Sequence, residues 1–360
     1  MRRLRIEHRG LMGTLTTLAV TCSALIQYPA YTAPSDPYIS KQWGLTKIQA
    51  EDAWAKSDGT GATIAVVDTG VDMKHPDLKD KLIYYSDADF VEPDGKCTQE
   101  KKQRTCTQDG AQDENGHGTH VAGIAAAITN NGIGIAGVAP GAKILPVRVL
   151  DAEGSGTSDQ IAKGISYAAD KGAHVINLSL GFLSGVGEVV KITGGLEPIY
   201  AAIKYAQDKG AVVVVAAGND SVPLCAQPSA APGVICVGST DRDDLRSFFS
   251  NGDVTMMENY LVAPGGKALL DCADNIFSTY LTTLTTSSCS PQQGYETLAG
   301  TSMAAPHVAG VAAQLVSQEK VGKRAVDCIM ANTDDLGTPG RDPIFGYGRL
   351  NAKKAVSSSC

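Results

Sequence analysis

Five short stretches of the chain are apolar throughout or rich in Val, Ile and Leu without strict alternation: Ala62–Val67, Lys143–Leu150, Ala173–Leu180, Ala211–Ala217 and Val234–Val237. A strand with one wet face alternates. A strand buried on both faces reads as a continuous run, as in a parallel sheet covered by helices. Helical segments lie between these runs. Thr157 to Lys171 opens on two capping candidates, Thr157 and Ser158, and stops at Gly172; Leu196 to Lys209 stops at Gly210. Both exits read Asp-Lys-Gly-Ala, which is a helix end, a glycine cap and an immediate strand. The pattern predicts an α/β fold, a mostly parallel sheet flanked by helices on both faces. Ligands bind such sheets beyond the carboxyl ends of the strands, and Asp68 and Asn219 each follow a predicted strand.

Three segments carry residue types suited to chemistry. The first is Ile64-Ala65-Val66-Val67-Asp68-Thr69-Gly70, the second Asn115-Gly116-His117-Gly118-Thr119-His120, and the third Gly300-Thr301-Ser302-Met303-Ala304-Ala305-Pro306-His307. A carboxylate at the end of a buried strand is costly without a partner. Ser302 stands where a helix begins, and the helix dipole there favours developing negative charge. Each has a plain alternative: a strand-end Asp caps or turns, a His among glycines sits in a loop, and a Ser at a helix start is an N-cap. Zinc is a poor fit, because His117 and His120 are three apart with no intervening Glu. An esterase elbow G-x-S-x-G is also absent, since Ser302 lies in Gly-Thr-Ser-Met-Ala.

Together, Asp, His and Ser in this order and with these flanks resemble the catalytic segments of the subtilisin-like serine proteases, the subtilases. The resemblance runs from about Asp36 to Ala355. It is nearest to the thermitase-like members, through Ser35-Asp36-Pro37-Tyr38, Gly70-Val71-Asp72 and His75-Pro76-Asp77-Leu78. It implies the three-layer subtilisin-like fold and a serine endopeptidase acting through an acyl-enzyme. Ser302 would be the nucleophile, His117 the general base and acid, and Asp68 the group that orients the imidazole. Asn219, in Ala216-Ala217-Gly218-Asn219, matches the oxyanion residue. Ser179, Leu180, Gly181, Ala217, Gly218 and Ala226 match the substrate-binding walls, where a peptide would add as a strand. Phe182-Leu183 departs from the family, whose members commonly carry another glycine there. Calcium is the implied cofactor, structural in role. Asp77 and Asn131 would supply side-chain oxygens, Thr129, Ile133 and Ile135 carbonyls, and Asp36 would tie the N-terminal segment to the same ion. A catalytically dead binding protein on this scaffold would be expected to lack Asp68, His117, Ser302 or Asn219; all four are present.

The N-terminus adds a location. Arg2, Arg3, Arg5 and Arg9 precede an uncharged, mostly apolar run from Leu11 to Ile26. This is the pattern of a signal peptide, taken as residues 1–33, with 34–360 as the catalytic domain and Ala24, Ala30 and Ala33 as cleavage candidates. The alternatives are a periplasmic protein or one tethered by an uncleaved segment. Only a few residues separate Ile26 from Asp36, short for the folding-assistant propeptide usual in subtilases. The leader holds four arginines and one acid, so its removal takes the net charge from −7 to −10. An acidic protein of this kind is soluble and unsuited to nucleic acid. The expected partners are protein or peptide substrates, with no stable membrane association after processing, and the expected state is a monomer. Cys22 falls in the leader. The eight remaining cysteines, an even number behind an export signal, imply disulfides. Cys97 with Cys106 and Cys272 with Cys289 each bracket one loop, and Cys225 with Cys236 and Cys328 with Cys360 would complete the set. The stretch Gly266 to Gly294, longer than in simple subtilisins, lies just before the Ser302 segment and is a plausible specificity element.

Overall fold

The computed structural model describes residues 34–91, 97–100, 103–106, 110–181, 191–267, 272–284, 289–290 and 292–360, with 97–100, 103–106 and 191–193 described in backbone only. The leader and its boundary, and Phe182 and Leu183, lie outside these residues.

Each apolar run forms a strand of one parallel sheet. The strands are β1 (Thr63–Asp68), β2 (Lys143–Arg148), β3 (Val175–Leu178), β4 (Val212–Ala216), β5 (Ile235–Thr240) and β6 (Tyr260–Pro264), in the spatial order β6-β5-β4-β3-β1-β2. The sixth strand is not predicted above. It ends on a proline, which an edge strand tolerates, and its outer side is paired locally, the Val262 N–H donating to the Gly348 carbonyl at 3.0 Å. Successive side chains on each strand divide between two cores. Ile64, Val66, Val212 and Val214 pack with helices α1 (His117–Ala126) and α4 (Thr301–Val316). Ala65, Val67, Val213 and Val215 pack with α2 (Ser158–Asp170) and α3 (Glu197–Asp208). This is the three-layer arrangement the subtilase resemblance implies. Of the two capping candidates Thr157 caps helix α2: its Oγ1 accepts the Gln160 N–H while the Gln160 side chain accepts the Thr157 N–H.

The layout fixes where chemistry can occur. β1, β3 and β4 are neighbours at the middle of the sheet, so Asp68, Ser179 and Asn219 leave its carboxyl edge side by side. An antiparallel hairpin, Ile276–Thr279 with Tyr295–Leu298, stands before α4 and leads the chain into it. No helix among the described residues is long and apolar enough to cross a membrane.

Disulfides join Cys225 to Cys236, Cys272 to Cys289 and Cys328 to Cys360. The short hairpin Cys97–Glu100 and Gln103–Cys106 sets Cys97 directly across from Cys106, whose side chains are outside the described residues. Mass mapping of unreduced peptides is expected to return these three bridges and the Cys97–Cys106 pair. Cys328–Cys360 closes the longest loop, a separation of 32. Replacing both cysteines by serine should cost about 3–4 kcal/mol on chain-entropy grounds; an unchanged unfolding curve would contradict this.

Candidate active site

Asp68 ends β1 with no exposed surface, and His117 opens α1 almost as deeply buried. His117 Nδ1 donates to Asp68 Oδ1 at 2.8 Å. The carboxylate can only accept, so this bond fixes the tautomer and leaves Nε2 as the nitrogen able to take a proton. Burial alone would lower the His117 pKa. The charge of Asp68 and the hydrogen bond to it, with the charge of Asp113, outweigh burial and hold the imidazole above its usual value. The next histidine on the helix shows the contrast. His120 lacks a carboxylate partner and is pushed down by burial, and further by the His117 charge, to about 3; it stays neutral.

Two residues that the motif reading passed over bring Asp68 and His117 together. Asp113 is buried. Its Oδ1 accepts the N–H groups of Asn115 at 2.9 Å and Gly116 at 3.0 Å, and its Oδ2 that of Thr119 at 3.0 Å. Those of Gly116 and Thr119 are donors that a helix start leaves unpaired. Thr69 Oγ1 donates to Asp113 Oδ1 at 2.9 Å and accepts the Gly118 N–H at 2.9 Å. The strand end is thereby pinned to the helix start. The sequence held a signal for Asp113, a turn-forming carboxylate shortly before a helix. It held none for Thr69.

Ser302 stands at the second position of α4, half-buried. Pro306 lies one turn further on and has no N–H to offer the Ser302 carbonyl. Ser179 Oγ donates to that carbonyl instead, at 2.8 Å, and is itself held by Asn177 Nδ2 at 2.9 Å. The helix that carries Ser302 is thus bolted to the end of β3. The Ser302 hydroxyl donates to the Ser179 carbonyl at 3.2 Å rather than to His117. Both residues line one cleft, and a serine side chain has a single torsion to turn. Asn219, just past β4, accepts the Thr301 N–H on Oδ1 at 2.9 Å and the Thr301 hydroxyl at 3.0 Å. With its oxygen committed, its amide nitrogen is the end left to donate. The arrangement offers a proton acceptor, a hydroxyl at a helix N-terminus and amide donors at one place.

Ser179, Leu180, Gly181 and Gly218 line the same cleft, with Ala216 on the β4 side. Ala217 faces the other way, into a small cluster with Cys225, Cys236, Tyr260 and Val262. Ala226 lies behind the two glycines: a Cβ on Gly218 would come within 2.8 Å of the Ala226 Cβ, and one on Gly181 within 3.9 Å. Gly218 also has φ +103°, which few other residues adopt.

The other expected residues meet elsewhere. Asp36 and Asp77 are both buried, and the 129–135 loop wraps them. Asp36 accepts the Asn130 N–H at 2.9 Å and the Asn131 N–H at 3.3 Å. Asp77 accepts Asn131 Nδ2 at 2.6 Å and the Ile135 N–H at 2.8 Å. Thr129 and Ile133 lie on the same loop, with the Ile133 N–H donating to Asn131 Oδ1. Burial pushes the Asp77 carboxyl up to about 6 against the pull of these hydrogen bonds, and the Asp36 charge adds to the rise. No salt bridge reaches either carboxylate among the described residues, and among them no group of three or more His, Cys, Asp or Glu side chains is arranged to hold a metal ion.

The subtilase family model matches residues 59–348. The chain is 44% identical over 325 residues to thermitase from Thermoactinomyces vulgaris, covering 90% of this chain and 99% of that relative. It is 40% identical over 332 residues to the thermophilic serine proteinase of Bacillus sp. (strain AK1), covering 92% and 71%. Among solved structures, one of the proteases from Pseudoalteromonas arctica aligns with a TM-score of 0.73 at 31% identity, over 91% of this chain and 99% of that one.

Asp113→Ala would leave the buried N–H groups of Gly116 and Thr119 and the half-buried one of Asn115 without their acceptor, a loss of roughly 3 kcal/mol. A fall in melting temperature of roughly 5–10 °C is expected, with Asp113→Asn losing less because one acceptor oxygen remains. A melting curve unchanged in Asp113→Ala would show that the helix start does not depend on this carboxylate.

Proposed function

The chain belongs to the subtilase family and is a subtilisin-like serine protease, and from that premise we propose that it is a secreted endopeptidase cutting proteins with Asp68, His117 and Ser302. The observation that carries the reading is the 2.8 Å bond between a buried carboxylate and an imidazole in the cleft that Ser302 lines.

The reaction would run as follows. Ser302 Oγ turns from the Ser179 carbonyl toward His117 Nε2, gives up its proton there and attacks the scissile carbonyl. Asp68 stabilises the imidazolium that forms. The carbonyl oxygen becomes an oxyanion, received by Asn219 Nδ2 and the Ser302 N–H at the positive end of α4. His117 then protonates the leaving amine, and a water attacks the acyl-enzyme by the same path in reverse. The substrate lies as an extra strand along Ser179–Gly181 and Gly218, glycines leaving room for a side chain backed by Ala226. The export signal at 1–33 supports secretion, and the work is that of a single copy on protein substrates.

Asp36, Asp77 and the 129–135 loop are read as a structural calcium site. The donors are all oxygen, the ligands a hard cation takes. Two buried carboxylates share one loop without a cationic side chain among the described residues, and Asp77 is raised by burial and by the Asp36 charge. The Asn131 amide would turn its oxygen inward. A bound ion supplies charge balance and ties the N-terminal segment to the loop; it takes no part in the cleavage.

Ser302→Ala should abolish casein hydrolysis and fluorophosphonate labelling, with a loss in turnover of about 10⁶, the size found in subtilisin itself. Asn219→Leu should cost about 10²–10³, again subtilisin's figure. Because His117 must be neutral to accept the proton and its pKa is raised, kcat/KM should fall toward acid with a midpoint above 6.5. Hydrolysis persisting in purified Ser302→Ala would overturn the assignment.

A ligand bound only by the folded state stabilises it by about 4 kcal/mol at a thousandfold excess over Kd. Thermal unfolding of the Ser302→Ala form should therefore occur at lower temperature with a chelator than with calcium, and Asp77→Asn should blunt the difference. Identical curves with and without calcium would reduce the loop to a turn.

A further inference from the structure

Tyr280 follows the strand Ile276–Thr279, and its ring covers the turn that delivers His117. A Cβ placed on Gly116 would lie 2.4 Å from Tyr280 Cε2 and Cζ, so the ring rests directly on the glycine backbone, held at φ +106°. The Tyr280 hydroxyl donates to the Asn115 carbonyl at 3.1 Å. Asn115 in turn accepts the His117 N–H on its Oδ1 at 3.1 Å. The turn is thus gripped on one side by Asp113 and on the other by Tyr280.

The tyrosine is itself well founded. Its N–H donates to the Gly294 carbonyl at 2.6 Å. The two residues before it bond to the same helix: Ser278 Oγ donates to the His120 carbonyl at 2.8 Å, and Thr279 Oγ1 to the Thr119 carbonyl at 2.7 Å. From the helix side, His120 Nε2 lies 3.1 Å from both the Ile276 and the Glu296 carbonyls. The hairpin and α1 therefore move as one body, and Tyr280 is the part of the hairpin that reaches the turn before His117.

We propose that Tyr280 is a positioning residue, fixing the Asn115–Gly116 turn so that His117 keeps its bond to Asp68 while substrate occupies the cleft. Tyr280 meets the site through the Asn115–Gly116 turn, and an unchanged KM separates that role from a contact with the substrate. The charged and titratable groups around His117 are Asp68 from β1, Asp113 from the preceding loop and His120 one turn on. Of these, Asp68 contributes most to keeping the His117 proton affinity high. A loosened turn lets the imidazole drift from it. Turnover then drops, because reacting groups misplaced by about 1 Å lose on the order of 10²-fold. The acid limb of the pH profile also moves, because the partner that raised the pKa is further away.

This inference rests on His117 being the general base, so Tyr280→Phe, Tyr280→Ala and His117→Ala are measured together on a chromogenic peptide. Melting is read in the Ser302→Ala background. Tyr280→Phe, which keeps the ring and loses one hydrogen bond, should lower kcat about 3- to 10-fold. Tyr280→Ala should lower it up to about 10²-fold. KM should hold in both, and the acid-side midpoint should move to lower pH. Wild-type kcat and midpoint in the Tyr280 variants, or lost activity with an unmoved midpoint, would overturn the positioning role. Activity retained in His117→Ala would instead remove the reading beneath it. If Tyr280→Ala does not fold, Tyr280→Phe decides.

Discussion

Asp68 is a carboxylate with no exposed surface, at the end of a strand in the middle of the sheet. An ionised group so placed is stable only if the surroundings repay its lost hydration. His117 does most of this, and the Thr69 N–H, 2.7 Å from Asp68 Oδ1, does some. Much of the surrounding architecture keeps that partner in place. The helix that bears His117 must start at one point, so its unpaired N–H groups are collected by Asp113. Thr69 joins Asp113 to the strand end, and the hairpin lies along the helix and fastens its carbonyls.

The second half of the site answers a different demand, created by a proline. Pro306 leaves the Ser302 carbonyl without its helical donor, and a buried acceptor without a donor is costly. Ser179 supplies the missing hydrogen and so sets the distance between β3 and α4. The same residue offers its own carbonyl to the Ser302 hydroxyl. Thr301 does the matching service for β4: its N–H and hydroxyl hold the Asn219 oxygen, and its hydroxyl also accepts the Gly218 N–H at 3.1 Å. Ser302 is positioned by backbone groups and small hydroxyls of three elements, none of which needs to move for its side chain to turn.

The periphery is tied down where a protease is exposed to its own kind. Flexible termini and loops are the first places a peptidase cuts. Here the C-terminal cysteine is bonded to Cys328, Cys225 to Cys236 and Cys272 to Cys289. The N-terminal segment is held by Asp36 on the loop at Asn130 and by the Tyr38 N–H, which donates to the Gly134 carbonyl at 2.9 Å.

The strands were legible in the sequence because burial on both faces favours runs rich in Val, Ile and Leu, and the start of α2 was narrowed to Thr157 or Ser158 by residue type alone. The candidate site was legible because Asp68, His117, Ser302 and Asn219 each sit in a distinctive local segment. The sixth strand was not: Tyr260–Pro264 ends on proline, a residue that argues against a strand. Nor were the residues that hold the site. Ser179 and Ser302 are 123 positions apart, Tyr280 and Asn115 are 165, and Thr69 and Asp113 are 44. Ser179 read only as a cleft wall, and Ala217 as part of one, although its side chain packs behind it. Period, caps and turns depend on neighbours a few residues away, so the sequence by itself determines them. Which hydroxyl meets which carbonyl depends on the path of the whole chain, and only the tertiary structure decides that.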